Sequence, residues 1–406
     1  MLSTKSRQAA AELAGAVLSL RPMIDRLEQP VRVTRAGTSP AWTAARSSLA
    51  GEREDLQRVL DRVTGRLGYP AFTLLDEPAP RDVDTFVRTV SRRLGLAELA
   101  GPLRAVATDG LPALDEVVDE VSAADFESFC RRETVRTPDG VALRAYVAGD
   151  PGSPAVVIAS ACGMPARLAE QWIRRLAADH YVLTWESRGL FGGADDVEEF
   201  DAETGVAAQA ADLVAVMDHF SVPAAHVAGL CGGAVIALAA AAAHPRRVAS
   251  LSLWHGDFEL GDDALKTDHQ RNLQALMLMA TRSRVSVAGI HAVLCQAISA
   301  STPPDLAHLV LYPYATAELL FRYCQLNGAI MGTDVRDRLS AVSQPCLVVT
   351  SEDDATAHPE GSRRVARALS GSRLLVAPHG DHISVFRRPE QLLEAAIRFV
   401  RQEGNP

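Results

Sequence analysis

Hydrophobic and polar positions give the chain two textures that meet near residue 130. Up to about residue 125, apolar residues return at three- and four-residue steps. Leu49, Leu56, Val59, Leu60, Val63 and Leu67 mostly do so along one stretch, marking one face of an amphipathic helix. Ahead of it, Ser39-Pro40 sets an N-cap residue before a proline suited to the first helical position. Comparable patterns predict helices over residues 6–20, 82–94 and 114–129, separated by breaks at Pro70 and at the prolines 78 and 80. Residues 1–125 are therefore expected to form an all-helical accessory domain that packs on the remainder, with docking of a partner protein as the alternative role.

From Glu133 the period changes. Residues 134–136 and 141–147 flank Pro138-Asp139-Gly140, a hairpin signal. Residues 155–159 are a short, wholly apolar strand, followed by a helical stretch near 168–177 and a strand at 181–185. A helix at 206–220 leads to an apolar run from Ala224 to Leu230, interrupted by His226. An alanine-rich helix then ends at His244-Pro245, before a strand at 248–254. Strands alternating with helices imply a mostly parallel sheet covered on both faces. The alternation stops over about 258–340, where the pattern is helical with breaks at Pro303-Pro304 and Pro313. Such a length is too great for a structureless loop, so it is expected to be a helical cap inserted over a site. Strands at 346–350 and 373–377 and a helix at 391–401 complete a second domain, 126–406.

Composition narrows the partners. A chain of 406 residues with 48% hydrophobic and 22% charged residues suits two or three globular domains. The net charge of -9 argues against general nucleic-acid binding. No apolar run reaches the roughly 18 residues of a membrane span, and residues 1–20 lack the apolar core of a signal peptide. The six cysteines, at 130, 162, 231, 295, 324 and 346, form no C-x-x-C pair. They suggest reduced thiols in a cytoplasmic protein rather than disulfides or a metal site. The glycine pairs at 192–193 and 232–233 fit neither a phosphate loop nor a dinucleotide fingerprint, so no bound cofactor is expected.

The candidate chemistry centres on Gly229-Leu230-Cys231-Gly232-Gly233, between the buried strand and the alanine-rich helix. Small residues on both sides of the cysteine allow a very sharp strand-to-helix turn. The pattern resembles the G-x-nucleophile-x-G turn of the α/β hydrolases, with cysteine where serine is usual. The resemblance covers about residues 130–406, less the cap, and implies an α/β-hydrolase fold whose nucleophile is followed by an acid and then a histidine. The strand at 346–350 runs into Ser351-Glu352-Asp353-Asp354, which resembles the family's acid turn and aligns Asp354 as the acid. The strand at 373–377 runs into Pro378-His379-Gly380-Asp381-His382, and the Pro389-Glu390 that follows resembles the end of many family members, a resemblance that implies His382 as the base, ahead of His379. The helix N-terminus favours negative charge on the sulfur, and an imidazole nearby can form a thiolate–imidazolium pair. Asp354 would fix the tautomer of that imidazole. The resemblance places the oxyanion hole at the backbone N–H groups of Gly232 and of Cys162, the latter in Ser160-Ala161-Cys162-Gly163, where the family usually has His-Gly. Asp257, just after the strand at 248–254, resembles a position where some hydrolases keep their acid and is the alternative that the resemblance implies, and Asp353 is one register slip away. His379 and His358 read as loop or supporting residues. Glu186-Ser187-Arg188-Gly189 resembles the family's Asp-x-Arg-Gly turn and reads as structural.

Cysteine in place of serine suits one class of acyl chemistry. Passing an acyl group from a thioester to a cysteine replaces one thioester by another, so its activation is retained; a serine ester would hold it in a deeper well. The combination is similar to the cysteine-dependent aminoacyltransferases of nonribosomal peptide pathways, of the syringomycin and coronamic acid type. That resemblance implies a substrate carried on a phosphopantetheine arm of an acyl or peptidyl carrier protein, an acyl-Cys231 intermediate, and delivery to an acceptor. The alternatives are a thioesterase or other ester or lactone hydrolase of the same fold, and a non-catalytic binding protein on a hydrolase scaffold.

Overall fold

In the computed structural model, residues 2–27, 29–35, 49–75, 84–192, 200–387 and 389–403 are described. They divide into one unit of Met1–Phe129 with Ala292–Ala315 and a second of Cys130–His291 with Thr316–Pro406.

The first unit is built on the helices Thr4–Ser19, Leu49–Leu67, Thr85–Leu94, Leu96–Asp109 and Leu111–Ala123. Leu13, Val17, Val59, Leu60, Leu103 and Val118 meet in its core. The ends are capped as the sequence dictates: the Ser3 hydroxyl accepts the Ser6 N–H at 3.1 Å and the Asp84 carboxylate accepts the Phe86 N–H at 3.0 Å. Ser39-Pro40 and the prolines 78 and 80 lie outside the described residues. The unit is not all-helical, contrary to the expectation from its pattern. Strand β1 (Val31–Thr34) pairs in parallel with β2 (Phe72–Leu75). Four residues apiece are too few to show an alternating pattern, and side chains distant in sequence hydrogen-bond their backbone. Gln57 donates to the Phe72 carbonyl at 2.7 Å and accepts from the Leu74 N–H at 2.8 Å. Ser91 Oγ accepts the Thr34 N–H at 2.8 Å.

A second difference concerns the stretch at about 258–340, expected to belong wholly to the sheet domain. Its middle, Ala292–Ala315, clusters with the first unit. There Arg26 donates to the Tyr312 hydroxyl at 3.3 Å, and Cys295 lies 3.6 Å from the Tyr314 carbonyl. Hydrophobic period reports that a segment is helical but not which core receives it.

The second unit carries an eight-stranded sheet in the order β10-β9-β8-β7-β5-β6-β4-β3. The strands are β3 (Arg131–Arg136), β4 (Ala142–Ala148), β5 (Ala155–Ala159), β6 (Tyr181–Trp185), β7 (Ala225–Leu230), β8 (Val248–Trp254), β9 (Cys346–Ser351) and β10 (Ser372–Ala377). Pairings from β6 to β10 are parallel, whereas β4 runs antiparallel to both β3 and β6. Every residue of β6, β7 and β9 is buried, as expected for strands with helices on both faces. His226, the polar residue within the apolar run, has its two ring nitrogens 2.8 Å from Ser250 Oγ and 2.8 Å from Ser252 Oγ on β8. Burial pushes its pKa down to about 3, so it sits in the core as a neutral, satisfied ring. The Glu186–Gly189 turn is also structural in its contacts. Arg188 is buried against Asp212, with nitrogen–oxygen distances of 2.8 and 2.6 Å, and reaches Asp139 at 2.8 Å.

Parallel strands deliver their carboxyl ends to one edge of the sheet, and ligand sites in open α/β sheets form there. The turns after β7, β8, β9 and β10 all leave from that edge. No helix among the described residues is long and apolar enough to cross a membrane.

Candidate active site

The turn after β7 is shaped by glycine. A Cβ at Gly229 would lie 2.5 Å from Ala234 Cα, and one at Gly233 would lie 1.9 Å from the Ala159 carbonyl oxygen. Strand and helix backbones are thus closer than any side chain permits. Between them Cys231 takes φ 59°, a left-handed conformation that costs a non-glycine residue roughly 1–2 kcal/mol. The strain is held in place by the Cys231 N–H donating to the Trp254 carbonyl at 3.0 Å and the Cys231 carbonyl accepting the Ala234 N–H at 3.0 Å. The thiol is thereby presented at the start of the helix Gly233–Ala243. Cys231 is half-buried, whereas the other five cysteines are buried. Burial pushes the thiols of Cys162, Cys295, Cys324 and Cys346 up to about 12, which keeps them protonated and inert.

His382, in the turn after β10, is buried and interacts with the Cys231 sulfur. Burial alone would push its pKa down; the facing Cys231 sulfur and the Asp354 carboxylate outweigh this and raise it well above the usual 6.5. The structure therefore brings Cys231, His382 and Asp354 together from three turns in the expected chain order. Asp354 Oδ1 accepts N–H groups from Thr356 at 2.9 Å and Ala357 at 3.1 Å. Burial raises the Asp354 carboxyl, but hydrogen bonding to histidine and the nearby rings pull it far below the usual 3.8. The carboxylate is held ionised.

The acid does not address His382 alone. Asp354 Oδ2 is 2.8 Å from His255 Nδ1 and 3.8 Å from His382 Nδ1, beyond hydrogen-bonding reach. His255 follows β8 directly, is fully buried, and has φ 49°. A histidine at the carboxyl end of a buried parallel strand was the one local sign of it; its pairing across the sheet with residue 354 had none. The ligand atoms of His255, Asp354 and His382 lie within 4.8 Å of one another, a spacing that a divalent ion can use. The His255–Asp354 hydrogen bond accounts for the closeness of those two residues.

The remaining candidates fall around this centre. Among the described residues, the N–H groups of Gly232 and Cys162 have no backbone or side-chain acceptor, while the neighbouring Gly163 N–H is taken by Ser187 Oγ at 2.9 Å. Both proposed oxyanion donors are thus unengaged. Asp257 accepts from Gln270, and burial raises its pKa while His382 pulls it down. It is a neighbour of His382, and Asp354 is the carboxylate in closest contact with the histidines. Asp353 pairs with His379 at 3.6 Å, and His379 is 90% exposed. His358 Nδ1 accepts the Glu360 N–H at 3.2 Å, capping the helix Pro359–Ala368. Asn327 of the helix Ala317–Gly332 stands over the nucleophile turn, 3.5 Å from where a Gly232 Cβ would be.

This sheet order, with a half-buried cysteine at the sharp turn after β7 and a carboxylate and a histidine after later strands, is that of the α/β-hydrolase fold. A family model described as "TAP-like protein" matches residues 323–404. The RutD protein of Variovorax paradoxus, named for carbamate hydrolysis, is 27% identical over 268 residues, which covers 65% of this chain and 98% of its own. The BpoC protein of Mycobacterium tuberculosis, named for non-heme bromoperoxidase activity, is 27% identical over 273 residues, covering 63% of this chain and 96% of its own. Among solved structures, the enol-lactonase of Burkholderia xenovorans is similar with a TM-score of 0.53 at 17% identity, covering 66% of this chain and all of its own. The esterase of Thermogutta terrifontis matches at 0.53 and 20% identity, covering 68% of this chain and all of its own.

Proposed function

We propose that this protein is a hydrolase that cleaves an activated acyl substrate, an ester or thioester, through an acyl-Cys231 intermediate. The observation that carries the reading is the half-buried thiol on a strained turn, facing a buried imidazole whose pKa is raised by that sulfur. The hydrolase, esterase and lactonase names among its relatives support it.

The steps follow from the placement. The Cys231 thiolate attacks the carbonyl carbon, and the developing oxyanion is met by the Gly232 and Cys162 N–H groups. The tetrahedral centre collapses, its bond to the leaving group breaks, and the imidazolium of His382 supplies the proton that the leaving group needs. In the second half His382 takes a proton from water as the water attacks the thioester. Acid is released, and the proton returns to the Cys231–His382 pair.

A second reading is favoured by the identity of residue 231. With cysteine rather than serine, the intermediate is itself a thioester and can pass its acyl group to another thiol without losing activation. This would make the protein a carrier-dependent acyl or aminoacyl transferase in natural-product biosynthesis, taking its substrate from a phosphopantetheine arm. The acceptor separates the two readings. Loading the protein with an acyl-thioester and then offering either buffer or an excess of thiol-bearing carrier should release free acid at the same rate in both, if water is the natural acceptor. Acylated carrier formed faster than free acid would make transfer the function.

A further inference from the structure

We propose that His255 is a positioning residue: a second histidine that holds the Asp354 carboxylate and sets how strongly that carboxylate acts on His382. The inference rests on the acid–base role given above to Cys231 and His382.

A carboxylate oxygen only accepts, so the 2.8 Å contact requires a proton on His255 Nδ1. In the neutral ring Nε2 is then an acceptor, and it lies 3.4 Å from the Ser351 hydroxyl, which can donate. The backbone N–H of His255 donates to the Val349 carbonyl at 2.9 Å, so both backbone and ring are tied to β9, the strand that leads to Asp354. Oδ1 of Asp354 is occupied by two backbone N–H groups, which leaves Oδ2 to both histidines. His255 takes it, and His382 Nδ1 is left buried with no hydrogen-bond partner. The rings stand perpendicular with centroids 6.2 Å apart, on either side of the carboxylate. A non-glycine residue held at φ 49° while making these bonds is a strained arrangement of the kind that concentrates at working sites.

The chemical effect has a definite sign. Each hydrogen bond to Oδ2 draws off charge that would otherwise stabilise the imidazolium of His382. By holding Oδ2, His255 keeps that imidazolium acidic enough to release its proton to a leaving group. Other titratable groups facing His382 are Cys231 from the nucleophile turn, Asp257 from the segment after β8, and His269 from the helix Asp268–Ala280.

Two substitutions of similar polarity separate positioning from packing. H255N places its amide N–H where Nδ1 was, whereas H255Q places it nearer Nε2. Titrating the His382 ring by NMR, with its signal assigned by absence in H382Q, should give wild type and H255N the same midpoint to within a few tenths of a pH unit. In H255Q the midpoint should rise by about one pH unit, with kcat falling about tenfold and KM little changed. His382 midpoints that coincide in all three proteins would overturn the proposal, whatever their activities. The underlying reading is checked separately with wild type alone: failure of Cys231 to react with iodoacetamide ahead of the other thiols would count against the nucleophile and leave the His255 titration to be judged independently.

Discussion

At the scale of single residues, the site depends on conformations and charges that side chains alone would not choose. Cys231 at φ 59° is destabilising for any residue with a Cβ. Cys231→Gly should therefore be more stable than Cys231→Ala by about 1 kcal/mol, the reverse of the usual order, by chemical denaturation. Both variants should lose turnover; equal stabilities would show the turn to be relaxed. Asp354 is held ionised, its carboxyl depressed below 3.8. A carboxylate depressed on folding contributes stability that is present above its unfolded value and lost as pH falls through its folded one. Wild type should thus lose stability more steeply than Asp354→Asn below about pH 4, as read from denaturant midpoints at a series of pH values. Cys231, Asp354 and His382 were legible because each sits in a short motif at a strand end. His255 was not, since its meaning comes from a carboxylate 99 positions away.

At the scale of elements, the nucleophile turn is a matter of backbone contact. Gly233 lies against the Ala159 carbonyl and Gly229 against Ala234. Gly229→Ala should cost about 1–3 kcal/mol or more through overpacking, and Gly233→Ala should cost more than Gly229→Ala, by thermal or denaturant unfolding. Neutral outcomes would mean that β7 and its helix can separate. The sharp turn could be read from the small residues flanking Cys231, as could the parallel strands from their short apolar runs. The pair β1 and β2 could not be read. Gln57 and Ser91, which lie in stretches the pattern assigned to helix, hydrogen-bond the backbone of these strands, and that has no local signature in either strand. The buried Arg188–Asp212 pair is a further element-level constraint. Asp212→Ala leaves a guanidinium buried with its main partner removed and should cost about 3–5 kcal/mol.

At the scale of the whole molecule, the sequence order of segments is not the order of cores. Ala292–Ala315 departs from the sheet unit and packs with the first unit, and the helix Arg284–Ser301 runs across the division. Pattern alone assigned the whole insertion to one domain because helical period carries no address. The fold class was nevertheless legible, since alternation of strands and helices admits few solutions. What the site does rests on the sulfur at position 231. The most direct measurement is the intact mass of the protein, acid-quenched within the first turnovers of an acyl-thioester and followed by peptide mapping. One added acyl group is expected, located on Cys231, absent from Cys231→Ala and much slower to form in His382→Gln. An acyl group found elsewhere, or turnover that survives in Cys231→Ala, would contradict it.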